Sequence, residues 1–425
     1  MINPDSIQAT SRLKFGAQFI RPDYGSYCFA HIPPTILSLF GLPGQGLPQA
    51  ALPSTAEYEQ VVLLLADAFG WQSFERYAAD YPFLKEMLSG GVVSRLTSMF
   101  PSTTAAHITC LNTGLAVGQS GVYEWFYYEP RLDMVIAPLL FSPAGEKVRE
   151  LLDKSVARPG DLFPNQTLYQ ALTQGGVSSV VFMPVEYARS TYSTHVMQGA
   201  QVKPYLSWTE ALTNLGLLLQ NTSGRRYIFV YFSNLDFIGH PYGPGSLQSA
   251  NETITFLDMM ERFLGQLKRS AVSKRTLLLL TADHGLASAN PASTIRLNQR
   301  FPALERCLRT DRQGRPILFG GSPRDLFLYI QEPRLEEAQD LLTQPLSGLA
   351  EVHLTQALID QGFFGPQPLS PRLLERLGNL VVLPYEGESV IWHVKDKFEQ
   401  KFFGHHGGLT PAEMLIPFIA YPLAN

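Results

Sequence analysis

Several acids and histidines in this chain stand where apolar runs end, a placement that suits metal chemistry. The run VVLLLAD closes on Asp67. The run RYIFVYFSN is followed by Asp236 and, four residues on, by His240, and TLLLLTADHG ends in Asp283 and His284. Late in the chain GHHGG supplies His405 and His406. No lysine or arginine adjoins them, and several carboxylates brought together without cations are costly to bury unless a metal neutralises them. Oxygen and imidazole donors without thiolate suit Zn²⁺, with Mn²⁺ or Fe as competitors. Six or seven donors exceed one tetrahedral ion and suit two ions sharing a cleft. Taken singly, Asp67 reads as a helix cap, Asp236 and His240 as an i,i+4 pair, and Asp283-His284 as a turn. Their common place at strand ends favours metal. His406 is preferred to His405 because the Gly-Gly pair beside it lets the backbone approach a site closely. His405 is then an outer or solvent-facing residue. His31, His195, His353 and His393 have no such company.

A second stretch, FPSTTAAHITCLNTG (residues 100–114), opens on a proline and three hydroxyl residues before small and apolar residues at helical spacing. One hydroxyl suffices to cap a helix. A second at the positive end of a helix dipole suits a nucleophile facing an anion. The stretch alone leaves Ser102, Thr103 and Thr104 open, and His107 lies one turn in.

The elements that must carry these residues read as α/β. Short continuous apolar runs at 61–66, 178–184, 226–234 and 276–285 have the pattern of strands buried on both faces. Helical segments at 167–176 and 252–270 alternate with them, which implies a mostly parallel sheet with helices on both faces. Ligands of such sheets bind at the carboxyl ends of the strands. Residues 1–55 form an N-terminal extension leading through a Pro/Gly-rich linker into a core at 56–285. Residues 286–400 read as an α+β insertion and 401–425 as completion of the core, with a capping box at Thr410 and Glu413.

The chain has 425 residues, 45% hydrophobic and 16% charged, with a formal net charge of -4. This composition is that of a soluble globular protein and gives no reason to expect nucleic-acid polymers or acidic membranes as partners. No apolar run is long enough to span a bilayer. The N-terminus lacks the apolar core of a secretory signal, and three scattered cysteines fit a reducing cytoplasm.

Taken in order, strand-Asp67, FPSTTAAHITCLNTG, LDFIGH, TADHG and GHHGG resemble the alkaline phosphatase superfamily, and its type I phosphodiesterase/nucleotide pyrophosphatase branch most closely. The resemblance runs from Val61 to Pro417. It implies one zinc on Asp67, Thr104, Asp283 and His284, and a second on Asp236, His240 and His406. It also selects the nucleophile, which in the family lies ten residues before the glycine of a T-G pair. Here that pair is Thr113-Gly114, so Thr104 is implied, with Ser102 and Thr103 as caps or turn residues. Three departures stand out. Ala105 replaces an aromatic residue that helps hold a nucleobase, Trp125 stands where a phosphate-binding asparagine is expected, and Ala68 follows the first aspartate where glycine is common. The first two weaken the case for nucleotides as substrate.

The expectation is therefore a dizinc hydrolase of a small phosphate ester, a phosphodiesterase acting through a phosphothreonine. Phe69, Trp71, Trp125 and Tyr242 are candidate walls for the leaving group. Two rivals stand beside it, a phosphomonoesterase or phosphomutase with Arg95 or Arg189 as added cation, and a catalytically silent metal-stabilised binding protein. Oligomeric state is open.

Overall fold

In the computed structural model of the chain, residues 1–53, 58–221, 224–269 and 275–423 are described. Residues 54–57 of the expected linker and Ser270 of the expected helix lie outside them.

A seven-stranded sheet carries the fold. Its strands are β1 (Gln60–Ala66), β2 (Val92–Thr97), β3 (Ser178–Pro184), β4 (Gln201–Tyr205), β5 (Arg226–Phe232), β6 (Thr276–Thr281) and β7 (Leu415–Pro422), in the order β2-β7-β6-β1-β5-β3-β4. β1, β3, β4, β5 and β6 pair in parallel. β7 runs antiparallel to both its neighbours, β6 and β2. The four apolar runs read from the sequence are central strands, and every residue of β1 and β6 is buried. Such runs need cover on both faces, and the flanking helices supply it. β4 and β2 lie at the two edges. Their patterns, part exposed, are the ones an apolar-run criterion passes over.

The reversal of β7 matters for the site. Because Phe418 pairs with Thr281, the chain enters β7 at the edge where the parallel strands end. Residues just before β7 therefore share that edge with residues just after β1, β5 and β6.

The first residues cover the β2 edge. The Asn3 N–H donates to the Val93 carbonyl at 2.8 Å, and its side chain donates to Ser94 Oγ at 3.0 Å. The helix Pro4–Ser11 follows, with Asn3 as its N-cap. Arg95 of β2 is held in this layer by Thr10 Oγ1 (2.8 Å) and the Ile7 carbonyl (3.0 Å), away from the strand ends.

Residues 286–400 include an antiparallel three-stranded sheet of Leu326–Leu328, Leu380–Pro384 and Ala350–Leu354. One face packs with Leu304, Leu342 and Trp392 into a smaller core, while Phe327 and Val381 join the main one. Among the described residues no helix is long and apolar enough to cross a membrane.

Candidate active site: two carboxylate–imidazole clusters at a helix N-terminus

Asp67 follows β1 directly, Asp283 and His284 follow β6, and Asp236 and His240 lie on the helix Asn234–Tyr242 after β5. His406 arrives in the segment before β7. The sheet edge brings the donors into two clusters within 4.8 Å, one of Asp67, Asp283 and His284, the other of Asp236, His284 and His406. His284 belongs to both. His240 completes the second group, its Nε2 lying 3.3 Å from Asp236 Oδ2.

Each of the three imidazoles is oriented in the same way. Nδ1 of His240 lies 2.8 Å from the Gly404 carbonyl, that of His284 3.1 Å from the Gly285 carbonyl, and that of His406 3.0 Å from the Ser102 carbonyl. A carbonyl oxygen only accepts, so Nδ1 carries the proton and Nε2 presents its lone pair to the carboxylates. That is the tautomer a metal ion needs.

The carboxylates lack partners that such burial demands. Asp67 Oδ1, Asp236 Oδ1 and Asp283 Oδ2 are buried and accept no hydrogen bond among the described residues. Burial, with the neighbouring charges of Asp283 and Asp236, holds the Asp67 carboxyl well above the usual range, although Tyr231 donates to its Oδ2. Burial also raises Asp283. Burial acts in the same direction on Asp236, yet His240 beside it, helped by His406 and His284, brings its carboxyl below the usual range. Burial lowers His284 to about 4 and His406 to about 3. The unprotonated His284 and His406 beside these carboxylate oxygens form a donor set that could hold metal.

Thr104 opens the helix Thr104–Thr113, whose end is Gly114 in the left-handed conformation at φ 75°. Its Oγ1 lies 3.1 Å from His284 Nε2. Thr103 is the N-cap by backbone conformation, φ -127° and ψ 143°, but its side chain caps nothing. Ser102 does not cap either. Its Oγ donates to the Gly408 carbonyl at 2.7 Å and accepts from Gly407 N–H at 3.1 Å, which ties the threonine loop to the His406 loop. The helix N-terminus is thus left without a side-chain cap, facing the cleft with Thr103 and Thr104 in its lining.

The sequence left several positioning residues unseen. His107, buried, accepts the Met99 N–H on Nε2 at 2.9 Å and donates from Nδ1 to the Thr103 carbonyl at 2.7 Å, and burial lowers it to about 3. It braces the loop and does not line the cavity. Ser98 Oγ, 2.7 Å from His107 Nε2, donates to the Asp283 carbonyl at 2.8 Å. Gly407, at φ 121°, has no room for a Cβ, which would lie 2.4 Å from Ser322 Oγ and 2.8 Å from Asp325 Oδ1. Ala68, where a glycine was expected, adopts the left-handed conformation at φ 62° and donates to Asp283 Oδ1 at 3.2 Å. His405 is buried rather than solvent-facing, with an unpartnered Nε2.

The clusters open into a cavity of about 640 Å³. Of the four aromatic residues expected in its wall, Trp125 is there, whereas Phe69 and Trp71 are buried in the core and Tyr242 is outside the lining. Phe126, Tyr187, Tyr192, Phe237 and Phe402 take their place, with Ile108, Leu139 and Met183. Neither Arg95 nor Arg189 lines it. Arg149 does, from a segment in which sequence spacing gave no signal.

Residues 61–409 match the family model described as type I phosphodiesterase/nucleotide pyrophosphatase. Venom phosphodiesterases 2 and 1 of Crotalus adamanteus are each 24% identical over 250 residues, 55% of this chain. The match spans 28% and 26% of their respective lengths. Among solved structures, murine ectonucleotide pyrophosphatase/phosphodiesterase 5, in an inactive form in complex with AMP, aligns with a TM-score of 0.64 at 16% identity over 85% of this chain and 88% of that one. The human protein of the same name aligns with a TM-score of 0.63 at 16% identity, over 85% and 87%. These structures share the mostly parallel, helix-flanked fold.

Proposed function

The chain belongs to the type I phosphodiesterase/nucleotide pyrophosphatase family, and from that premise we propose that it is a dizinc phosphodiesterase that works through a covalent phosphothreonine at Thr104. The observation that carries this reading is the place of the Thr104 hydroxyl, at an uncapped helix N-terminus and 3.1 Å from His284 Nε2. Asp67, Thr104, Asp283 and His284 would hold one Zn²⁺, and Asp236, His240 and His406 the other. Bound there, the two cations supply Lewis-acid charge that eases ionisation of the threonine and offsets charge on the phosphoryl and leaving oxygens.

The remaining work falls to the chain. The helix dipole favours an anionic oxygen on Thr104. Attack by Oγ1 forms a new P–O bond as the bond to the leaving alcohol breaks. Water then adds to phosphorus, Oγ1 departs and recovers a proton, and the free hydroxyl is restored. The N–H groups of Ala105 and Ala106, in the first uncapped turn, suit a non-bridging oxygen in place of the missing asparagine. Ser102 and His107 hold the loop so that Oγ1 keeps its place relative to His284. The apolar wall limits water around the leaving group.

The test is acid quenching of the zinc-loaded enzyme during turnover of bis(p-nitrophenyl) phosphate, followed by peptide mass analysis. A nitrophenylphosphoryl adduct on Thr104, absent from Thr104→Ala, is expected. Turnover without any adduct at Thr104 would remove the covalent route.

A further inference from the structure

We infer that Arg149 forms an anion subsite in the cleft, so that the preferred phosphodiester carries a second negative group on an apolar substituent. This inference rests on the phosphodiesterase reading and adds the class of substrate. Among the described lining residues of the cavity, Arg149 is the single lysine or arginine. Its guanidinium carbon lies 5.0 Å from the centre of the Tyr187 ring. Among the described residues it has no carboxylate partner and no hydrogen-bond acceptor. Another acid of the lining, Glu399, pairs with Lys401 at 2.6 Å. A guanidinium over an aromatic face is attracted by the ring while its N–H donors remain available to an oxyanion.

The arginine is held in place. Its neighbour Glu150 adopts the left-handed conformation at φ 65°, one that a residue with a side chain rarely takes. The Glu150 carboxylate accepts the Thr191 N–H at 2.8 Å and the Thr191 hydroxyl, and the Glu150 N–H donates to the Leu140 carbonyl at 2.9 Å. These bonds pin residues 149–150 to the helix Thr191–Val196, whose Tyr192 and Ser193 line the same cavity.

The distance from the reacting centre can be followed ring by ring. Tyr231 donates to Asp67, and Tyr187 lies 6.3 Å from Tyr231 between ring centres. Arg149 sits on Tyr187. The cation is thus joined to the Asp67 carboxylate through two rings and is assigned to a charged group other than the reacting phosphoryl. Met183, Tyr192 and Ile108 line the same cavity and suit an apolar body. The chemistry recognised is a carboxylate or phosphate on that body.

The experiment compares two nitrophenyl diesters that share one leaving group, with a phenyl or a carboxyphenyl group on the other oxygen. The zinc-loaded wild type should favour the carboxyphenyl ester. In Arg149→Ala the ratio of the two kcat/KM values should fall about tenfold, through KM. Arg149→Glu should reverse the preference, and Arg149→Lys should recover part of it. Hydrolysis of both esters with the same ratio in wild type and Arg149→Ala overturns the subsite and leaves the phosphodiesterase standing. Hydrolysis of neither by the wild type overturns the phosphodiesterase reading itself, and the subsite with it.

Discussion

The rings of His284 and His406 are stacked, 3.6 Å between centres with planes 9° apart, although one follows β6 and the other precedes β7. Two imidazoles so close cannot both be cations, and desolvation pushes both well below their ordinary value. Each therefore offers a lone pair at neutral pH. His406 reaches Asp236 Oδ1 at 3.7 Å, whereas His405 Nε2 meets no partner.

From that geometry His406→Ala should lose about one zinc per chain and more than 100-fold in activity, and His405→Ala no more than about tenfold. Elemental analysis after gel filtration, beside diester turnover, measures both. Full zinc occupancy in His406→Ala would refute the ligand assignment.

Thr104 and Thr103 separate in the same way. Thr103 contributes its carbonyl to His107 and has no side-chain role in capping, so Thr103→Ala should cost less than about tenfold. Thr104→Ala removes the attacking oxygen and should cost several orders of magnitude, while six protein ligands continue to hold zinc. Steady-state rates with metal content measured on the same samples decide it. An active Thr104→Ala with a dead Thr103→Ala would move the nucleophile by one residue.

The sheet and most of the site were legible because both leave local marks. A strand buried on both faces, such as β1 or β6, must be a continuous apolar run, and an acid that joins the site at its end interrupts that run. Gly114 marks the end of the helix that Thr104 begins. What was not legible depends on contacts distant in sequence. Ser102 reads as a cap until Gly407 and Gly408 are seen to occupy its hydroxyl. Tyr231 looks like any core residue of β5 until its hydroxyl meets Asp67. Trp71 and Tyr242 stand near Asp67 and His240 in sequence, but Trp71 faces the core and Tyr242 lies beyond the cavity wall.

Acid should loosen the His406 loop through Glu413. This side chain, buried with Arg324 at 3.0 Å, accepts Gly408 N–H at 3.0 Å and caps Thr410 N–H at 3.2 Å. Burial raises its carboxyl, but Arg324 and the hydrogen bonds outweigh that and bring it below its ordinary 4.5. A depressed folded-state value means that the stabilisation is complete above the unfolded value and is lost as pH falls through the folded one. Glu413→Gln should therefore cost about 3–5 kcal/mol at pH 7, by leaving Arg324 buried and unpaired. The difference from wild type should shrink as pH falls below the ordinary 4.5 and through the lower native value. Urea melts at pH 7, 5 and 3.5 measure the gap. A gap that stays constant with pH would show that Glu413 holds no charge in the folded protein.

The choice between diester and monoester follows from charge in the cleft. Two divalent cations against Asp67, Asp236 and Asp283 leave about +1, and about zero once Thr104 is ionised. A diester brings one negative charge and a monoester close to two at neutral pH. The second charge of a monoester sits on the phosphoryl oxygens, where the proposed partners are the N–H groups of Ala105 and Ala106 and no lysine or arginine adjoins Asp67, Thr104, Asp236 or Asp283 in sequence. Arg95 is engaged with the N-terminal helix, and Arg149 stands on Tyr187 and is assigned to the substituent. The substituent of a diester, by contrast, meets Phe126, Trp125 and Phe402 in the wall. With zinc at neutral to alkaline pH, kcat/KM for bis(p-nitrophenyl) phosphate should exceed that for p-nitrophenyl phosphate by about 100-fold or more, the equivalent of two charge-assisted hydrogen bonds left unmade. A preference for the monoester would contradict this charge balance and require a cation beside Thr104 that the described residues do not provide.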